Sequence, residues 1–282
     1  MDLKSRVVLI TGASSGIGAA VARKLAPERT RLVLAARRQP DLEQVAEEAR
    51  KLGAEAVLPV TVDVTQRNQV FDLRDRAVSE FGKIDVWVNN AGRGIARSVL
   101  DLTDEDVDEM MSVNLKSAIY GMQAAIPLFI ERGEGHLINI SSFLARVPIA
   151  SIRSVYSASK AALNSLTANL RMDMRPYPGI HVSLVMPGTV STDFAKNVRG
   201  DVTAISRGAP GGSPMTPQTP EEVAARIADV IRNPVAEAYT NPASAELARR
   251  YFADVGAFEQ NAPRTQTVGA RSVEAPRNEG RV

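Results

Sequence analysis

The chain has 282 residues, 44% hydrophobic and 23% charged, enough for one large α/β domain with a sizeable core or two small ones. Lysine and arginine (34) exceed aspartate and glutamate (32) by only two, which leaves no global field to attract nucleic acid. With no cysteine, disulfides, thiolate nucleophiles and cysteine metal sites are excluded; the two histidines, His136 and His181, each start an apolar run and read as structural, so no metal site is expected.

Residues 6–11 (RVVLIT) are expected as a strand buried on both faces. They lead into Gly12-Ala13-Ser14-Ser15-Gly16-Ile17-Gly18, and a helical pattern follows over 19–25. Strand, glycine turn and helix together suit a pyrophosphate: small residues let the backbone approach, and a helix N-terminus offers free N–H groups. A lone glycine-rich turn is weak evidence, but its place after the first strand favours the nucleotide reading. Residues 31–36 (RLVLAA) are the second expected strand, ending in Arg37-Arg38. An acidic residue there would bind ribose hydroxyls, whereas arginine takes a 2′-phosphate; Ala36 fills the acidic position, so NADP is expected over NAD. The plainer alternative is a solvated basic turn.

An amphipathic helix over 41–52 closes at Gly53, and a third strand over 56–62 delivers Asp63-Val64. That aspartate either accepts from an adenine amino group or caps the helix after it. A helix over 68–81 ends at Gly82, and the fourth strand, 84–88, opens into Asn89-Asn90-Ala91-Gly92. Small and amide residues there leave room for a ribose and can tie neighbouring strands, so part of the turn reads as structural. Thr103-Asp104-Glu105-Asp106 starts a long helical region to about residue 132. Asn114 inside it is either a tolerated surface residue or a kink whose freed carbonyl holds a water.

The fifth strand, 136–140, ends in Ser141-Ser142, at the end of a parallel sheet where ligands bind. From 154 a long helix carries Tyr156 and Lys160, four residues apart and on one face, and stops near Pro176-Tyr177-Pro178-Gly179. A phenol has a pKa of about 10 in water. A fixed ammonium beside it is expected to lower that value and make Tyr156 an acid or base at a carbinol or carbonyl oxygen. Such a pair alone more often decorates a helix surface. The sixth strand, 180–186, ends in Pro187-Gly188-Thr189-Val190-Ser191-Thr192, a turn with hydroxyls for a nicotinamide carboxamide or phosphate. Residues 191–220 read as a substrate lid. A helix over 221–231, an edge strand over 237–240 and a last helix over 242–258 complete a single expected domain, 1–258, with a flexible tail over 259–282. Asp2 leads straight towards the first strand, and the longest apolar stretch, 118–130, contains Gln123 and is too short for a bilayer. No membrane insertion and a cytoplasmic location are expected.

Thr11-Gly12-x-x-x-Gly16-x-Gly18, Asn89-Asn90-Ala91-Gly92, Asn114, Ser142, Tyr156-x-x-x-Lys160 and Pro187-Gly188 occur in family order and spacing. On these residues the stretch from 6 to about 192 resembles the short-chain dehydrogenase/reductase family. The resemblance implies an α/β Rossmann-like fold, a doubly wound parallel sheet of about seven strands between two helix layers. It implies Tyr156 as acid/base, Ser142 on the substrate oxygen, and Lys160 lowering the tyrosine pKa while holding the nicotinamide ribose. Asn114 would retain a proton-relay water, and hydride would pass between the nicotinamide and a substrate carbon. Gly12, Ser14, Ser15, Gly16, Ile17, Gly18, Arg37, Arg38, Asp63, Val64, Asn90, Ala91, Gly92, Tyr156, Lys160, Pro187, Gly188, Val190 and Thr192 are the expected cofactor contacts. Arg37 resembles the NADP-preferring subgroup, and a homo-oligomer, dimer or tetramer, is implied.

The segment between Ser142 and Tyr156 departs from the family pattern, being about one residue longer and lacking an early glycine. The C-terminus lacks the glycine-rich ending of ketoacyl carrier-protein reductases. Phe143, Leu144, Met186 and Phe194 are expected to line an apolar pocket, with Arg93 and Arg146 as the alternative, reaching a substrate carboxylate. The expected function is an NADP(H)-dependent oxidoreductase on a small or hydrophobic carbonyl or alcohol. The alternatives are a catalytically silent NADP-binding regulator or scaffold, a ketoacyl-type reductase, and a nucleotide-sugar epimerase or dehydratase.

Overall fold

A computed structural model describes residues 2–192 and 216–261 together with the backbone of 199–200. Nine strands occur there: β1 (Val7–Thr11), β2 (Arg31–Ala36), β3 (Ala56–Thr61), β4 (Val86–Asn89), β5 (Ile95–Ala96), β6 (Gly135–Ile140), β7 (Ile180–Met186), β8 (Arg199–Gly200) and β9 (Glu237–Tyr239). Seven of them form one sheet in the order β3-β2-β1-β4-β6-β7-β9, with every neighbouring pair parallel. The continuous apolar run of β1 follows from burial on both faces. Val8 and Ile10 pack into one core cluster with Leu32 and Leu34, while Val7 and Leu9 pack into the other with Val33 and Ala35. Helices α1 (Gly16–Leu25), α2 (Gln39–Lys51) and α7 (Pro220–Arg232) cover the first face. Helices α3 (Arg67–Phe81), α5 (Ser117–Arg132) and α6 (Ser154–Asp173) cover the second. The chain reverses its direction across the sheet between β1 and β4, and ligands bind at the carboxyl ends of the strands flanking such a reversal.

The expected long helix is broken. Helix α4 (Asp104–Met111) opens on a capping box in which Thr103 and Asp106 bond each other's backbone N–H groups. It passes into a π-turn over Ser112–Lys116, where the Ser117 N–H reaches back five residues to the Ser112 carbonyl, and only then continues as α5. Asn114 sits in that turn and is buried, so the kink is real and the surface reading of Asn114 is overturned. The last helix is also divided, into α8 (Ser244–Ala253) and α9 (Val255–Asn261), at an extended Asp254 whose carboxylate accepts the Ala257 N–H at 2.9 Å. The first residues of the expected tail therefore belong to a helix; 262–282 lie outside the described residues. So does most of the expected lid, but its ends meet: Gln218 exchanges backbone hydrogen bonds with Thr189 and Ser191. Two short strands, β5 and β8, pair in parallel at positions where no strand was expected. Among the described residues no helix is long and apolar enough to cross a membrane.

Candidate active site

The glycine turn after β1 and the Asn90–Gly92 turn after β4 are locked together at the reversal point. Thr11 Oγ1 accepts the N–H groups of Asn90 (3.0 Å) and Ala91 (3.1 Å), and Asn90 Nδ2 donates to the Thr11 carbonyl at 2.9 Å. The space is tight enough to require glycine. A Cβ on Gly18 would lie 2.4 Å from the Gly12 carbonyl oxygen, and one on Gly12, at φ +67°, would lie 2.9 Å from Ala91 Cα. Ser15 caps α1 without a side-chain bond to the helix, so the first N–H groups of α1 remain available to an anion. Thr192 stands over this point, 3.5 Å from where a Cβ on Gly16 would be. A cradle of this shape and polarity fits a dinucleotide pyrophosphate. Beside it, Arg38 Nη2 donates to Ser15 Oγ (2.9 Å) and Ser14 Oγ (3.3 Å) while its Nε pairs with Asp41. Arg37 is exposed and has no such partner among the described residues. Asp63 forms a turn, its Oδ1 accepting the Thr65 N–H and hydroxyl at 3.0 and 2.8 Å. Helix α3 starts later, on Gln66, so Asp63 is not its cap. Ile17 and Val190 pack partly into the core beneath the cradle, whereas Val64 is buried in the cluster on the opposite face.

A second group converges on Gly92. Asn114 Oδ1 accepts the Arg93 N–H at 2.8 Å, and its Nδ2 donates to the Arg93 carbonyl (2.9 Å) and Ser159 Oγ (3.1 Å). The π-turn thereby fastens the loop after β4 to α6. Lys160, one turn further along α6 from Tyr156, is buried, and its Nζ donates to the Ile140 carbonyl at the end of β6 at 2.8 Å. A Cβ on Gly92 would stand 3.2 Å from Asn114 Oδ1 and 3.5 Å from Lys160 Nζ, so the amide and the ammonium flank the same small space. Burial lowers the Lys160 pKa from 10.5 to about 8.

Tyr156 and Ser142 meet by a hydrogen bond between their side chains. Ser142 is held in place by its own backbone turn, its Oγ accepting the Leu144 N–H at 3.2 Å. The phenol does not behave as the Tyr156–Lys160 spacing suggests. Burial raises its pKa, and this outweighs the opposing effects of the Ser142 hydrogen bond and of a cation, which is Arg153 and not Lys160. The ammonium is turned to the Ile140 carbonyl and Gly92, so helix spacing alone did not place it on the phenol.

Several other expectations change. Phe143 is buried against Val147, Leu247 and Tyr251, and Met186 is fully buried, so neither is an open pocket wall; Leu144 is partly exposed and Phe194 lies outside the described residues. Arg93 pairs with Glu109, and Arg146 with Glu237 at 2.6 Å, so both arginines proposed for a substrate carboxylate already hold an acid. Asn89 belongs to a buried structural network, accepting from Trp87 Nε1 at 2.8 Å and donating to Asn139 Oδ1 at 2.9 Å. Pro187 serves the fold, its carbonyl accepting the Phe143 N–H at 2.7 Å, and Gly188 follows at the cradle end of β7. Two contributors were missed, Ser159, whose partner lies 45 residues away, and Arg153, a cation three residues before the tyrosine; Thr11, quoted in the glycine motif, was given no role.

The family model for short chain dehydrogenases matches residues 6–203. An uncharacterized oxidoreductase of Staphylococcus aureus strain N315 is 35% identical over 190 residues, 67% of this chain and 80% of that protein. Among solved structures, a short-chain dehydrogenase/reductase from Burkholderia phymatum in complex with NAD superimposes with a TM-score of 0.82 at 28% identity, covering 94% of this chain and 98% of the other. An alcohol dehydrogenase from Thermococcus sibiricus, complexed with 5-hydroxy-NADP, does so with a TM-score of 0.72 at 26% identity, covering 84% and 97%. With the glycine cradle, the reversal point and the Ser142–Tyr156 contact all at the carboxyl end of one parallel sheet, the chain belongs to the short-chain dehydrogenase/reductase family of oxidoreductases.

Proposed function

We propose that this oxidoreductase uses NADP(H) to interconvert a carbonyl and an alcohol on a small or hydrophobic substrate, with Tyr156 as the acid/base. The observation that carries the reading is the hydrogen bond between Tyr156 and Ser142 at the strand ends where Lys160 Nζ and Asn114 Oδ1 flank Gly92. The nicotinamide, when bound, supplies or accepts the hydride at the substrate carbon. The turn from Gly12 to Gly18 and Thr192 would hold the pyrophosphate; Asn90, Ala91 and Gly92 would leave room for ribose, and Pro187, Gly188 and Val190 would border the nicotinamide. Arg38, over Ser14 and Ser15, and Arg37 beside it receive the 2′-phosphate, a charge and shape that guanidinium suits. Asp63 and the backbone of Val64, whose side chain is buried, would border the adenine.

Ser142 orients the substrate oxygen and Tyr156 exchanges a proton with it. Because burial raises the phenol pKa, Tyr156 holds its proton at neutral pH, the state needed to protonate an alkoxide as a carbonyl is reduced. Lys160 holds the ribose beside Gly92, and the π-turn at Asn114 offers a backbone carbonyl to a relay water. The protein works in the cytoplasm as a homo-oligomer, and β9, at the edge of the sheet, offers it a pairing strand.

The test is consumption of NADPH and NADH by purified protein against a panel of ketones and aldehydes, with Tyr156→Phe as the control. Turnover with NADPH that Tyr156→Phe abolishes supports the reading. Tight cofactor binding without consumption across the panel would identify a silent NADP-binding regulator instead.

A further inference from the structure

The arginines near the substrate side of the site differ in one respect. Arg93 pairs with Glu109, Arg97 with Asp106 at 3.0 Å, and Arg146 with Glu237 at 2.6 Å. Arg153 has no carboxylate within ion-pair distance among the described residues; its Nη1 donates to the Ile95 carbonyl at 3.0 Å, a neutral partner that satisfies one of the five N–H groups of a guanidinium. Its backbone is also held by its surroundings. Its backbone bridges to Arg97, the Arg97 N–H donates to the Ile152 carbonyl at 2.7 Å, and Ser154 Oγ donates to the Arg97 carbonyl at 2.8 Å. Arg153 is thus pinned between β5 and the first turn of α6, as the N-cap three residues before Tyr156. Burial depresses its pKa, and Tyr156 is close enough for the two groups to act on each other electrostatically.

A desolvated guanidinium without an acid is costly to the fold, and its planar fork is matched best by a carboxylate. We infer that Arg153 is the specificity-determining residue of the substrate site, its guanidinium receiving a carboxylate of the substrate beside the Tyr156 hydroxyl. This rests on the proposed oxidoreductase reading and narrows its substrate class to oxo acids and hydroxy acids. It also moves the carboxylate-binding role from Arg93 and Arg146, which hold acids of their own, to a cation that holds none among the described residues.

The experiment compares wild type, Arg153→Gln and Arg153→Lys on paired probes, 2-oxo and 3-oxo carboxylic acids and their methyl esters. It measures kcat and KM with NADPH, the pH profile, and calorimetric binding of acid and ester. The expected result is that wild type favours acid over ester, and that Arg153→Gln raises KM for the acid by about tenfold to a hundredfold. The ester should lose far less than the acid, with the same upward shift of the phenol pKa seen on both probes because Arg153 also acts on Tyr156, and Arg153→Lys should keep part of the preference. If Arg153→Gln does not fold, the acid-to-ester ratio of Arg153→Lys against wild type decides the matter. Wild type indifferent to the acid overturns the inference, as does an equal loss on acid and ester with a shifted pH profile, which would make Arg153 a counter-charge for the phenol only. Turnover of esters with no Arg153-dependent acid binding overturns the inference and leaves the oxidoreductase reading intact. Arg153-dependent acid binding with no turnover of any probe upholds the inference and overturns that reading.

Discussion

The two ends of the central sheet bury charge in opposite ways. At the amino end, the Asp85 carboxylate is 2% exposed and fully met: the Val7 N–H donates at 2.8 Å, Arg6 and Arg132 at 3.0 Å and Lys83 at 3.1 Å. Burial alone would raise its pKa, but the hydrogen bonds from Val7, Lys83 and Arg6, with the charge of Lys83, outweigh it and hold the carboxyl below its ordinary value. At the carboxyl end, Lys160 is 4% exposed and donates to one neutral carbonyl, and the half-buried Arg153 has no acid among the described residues. A buried charge surrounded by opposite charge is architecture, tying β1, β4 and α5 together. Buried charge left under-compensated costs stability, and it stands where a ligand would complete it.

That contrast can be broken by substitution at either end. The largest effect is expected from Tyr156→Phe, which should lower kcat by about a thousandfold while the thermal midpoint and cofactor binding stay near those of wild type. Retained turnover would remove the acid/base assignment. Asp85→Asn should do the reverse, costing about 3 kcal/mol in denaturant unfolding while the folded fraction turns over normally. The sign of its pH dependence follows from the lowered pKa: the contribution of Asp85 is present above the ordinary carboxylate pKa of about 4 and is lost as pH falls below it. The stability gap between wild type and Asp85→Asn should therefore close in acid.

Smaller effects sharpen the carboxyl end. Arg38→Ala should weaken NADPH about tenfold or more by fluorescence titration and leave NADH little changed. Arg37→Ala should have a lesser effect, since Arg38 is the one seated on the Ser14 and Ser15 hydroxyls. Equal losses for both cofactors would refute the 2′-phosphate assignment. The smallest effect is one of slope. Lys160 has a pKa of about 8 in the fold against 10.5 ordinarily, so between those values the unfolded chain carries a proton that the folded chain does not. Raising the pH across that window should stabilise wild type relative to Lys160→Met, and a parallel pair of stability curves would show that Lys160 is not desolvated.

Sequence alone carried the parallel sheet, the glycine turn and the family set of Asn114, Ser142, Tyr156 and Lys160, because strand runs and motif spacing are local properties of the chain. It carried the helix break at Asn114 only as an alternative, since a π-turn has no composition of its own and is held here by contacts to Arg93 and Ser159. Electrostatics was decided by tertiary structure. Tyr156 and Lys160 share a helix face, yet the ammonium is drawn to the end of β6, while the cation acting on the phenol is fixed by a carbonyl 58 residues away in sequence. Which arginine keeps an acid, and which apolar side chain is core instead of pocket, depends on partners that no window of sequence contains.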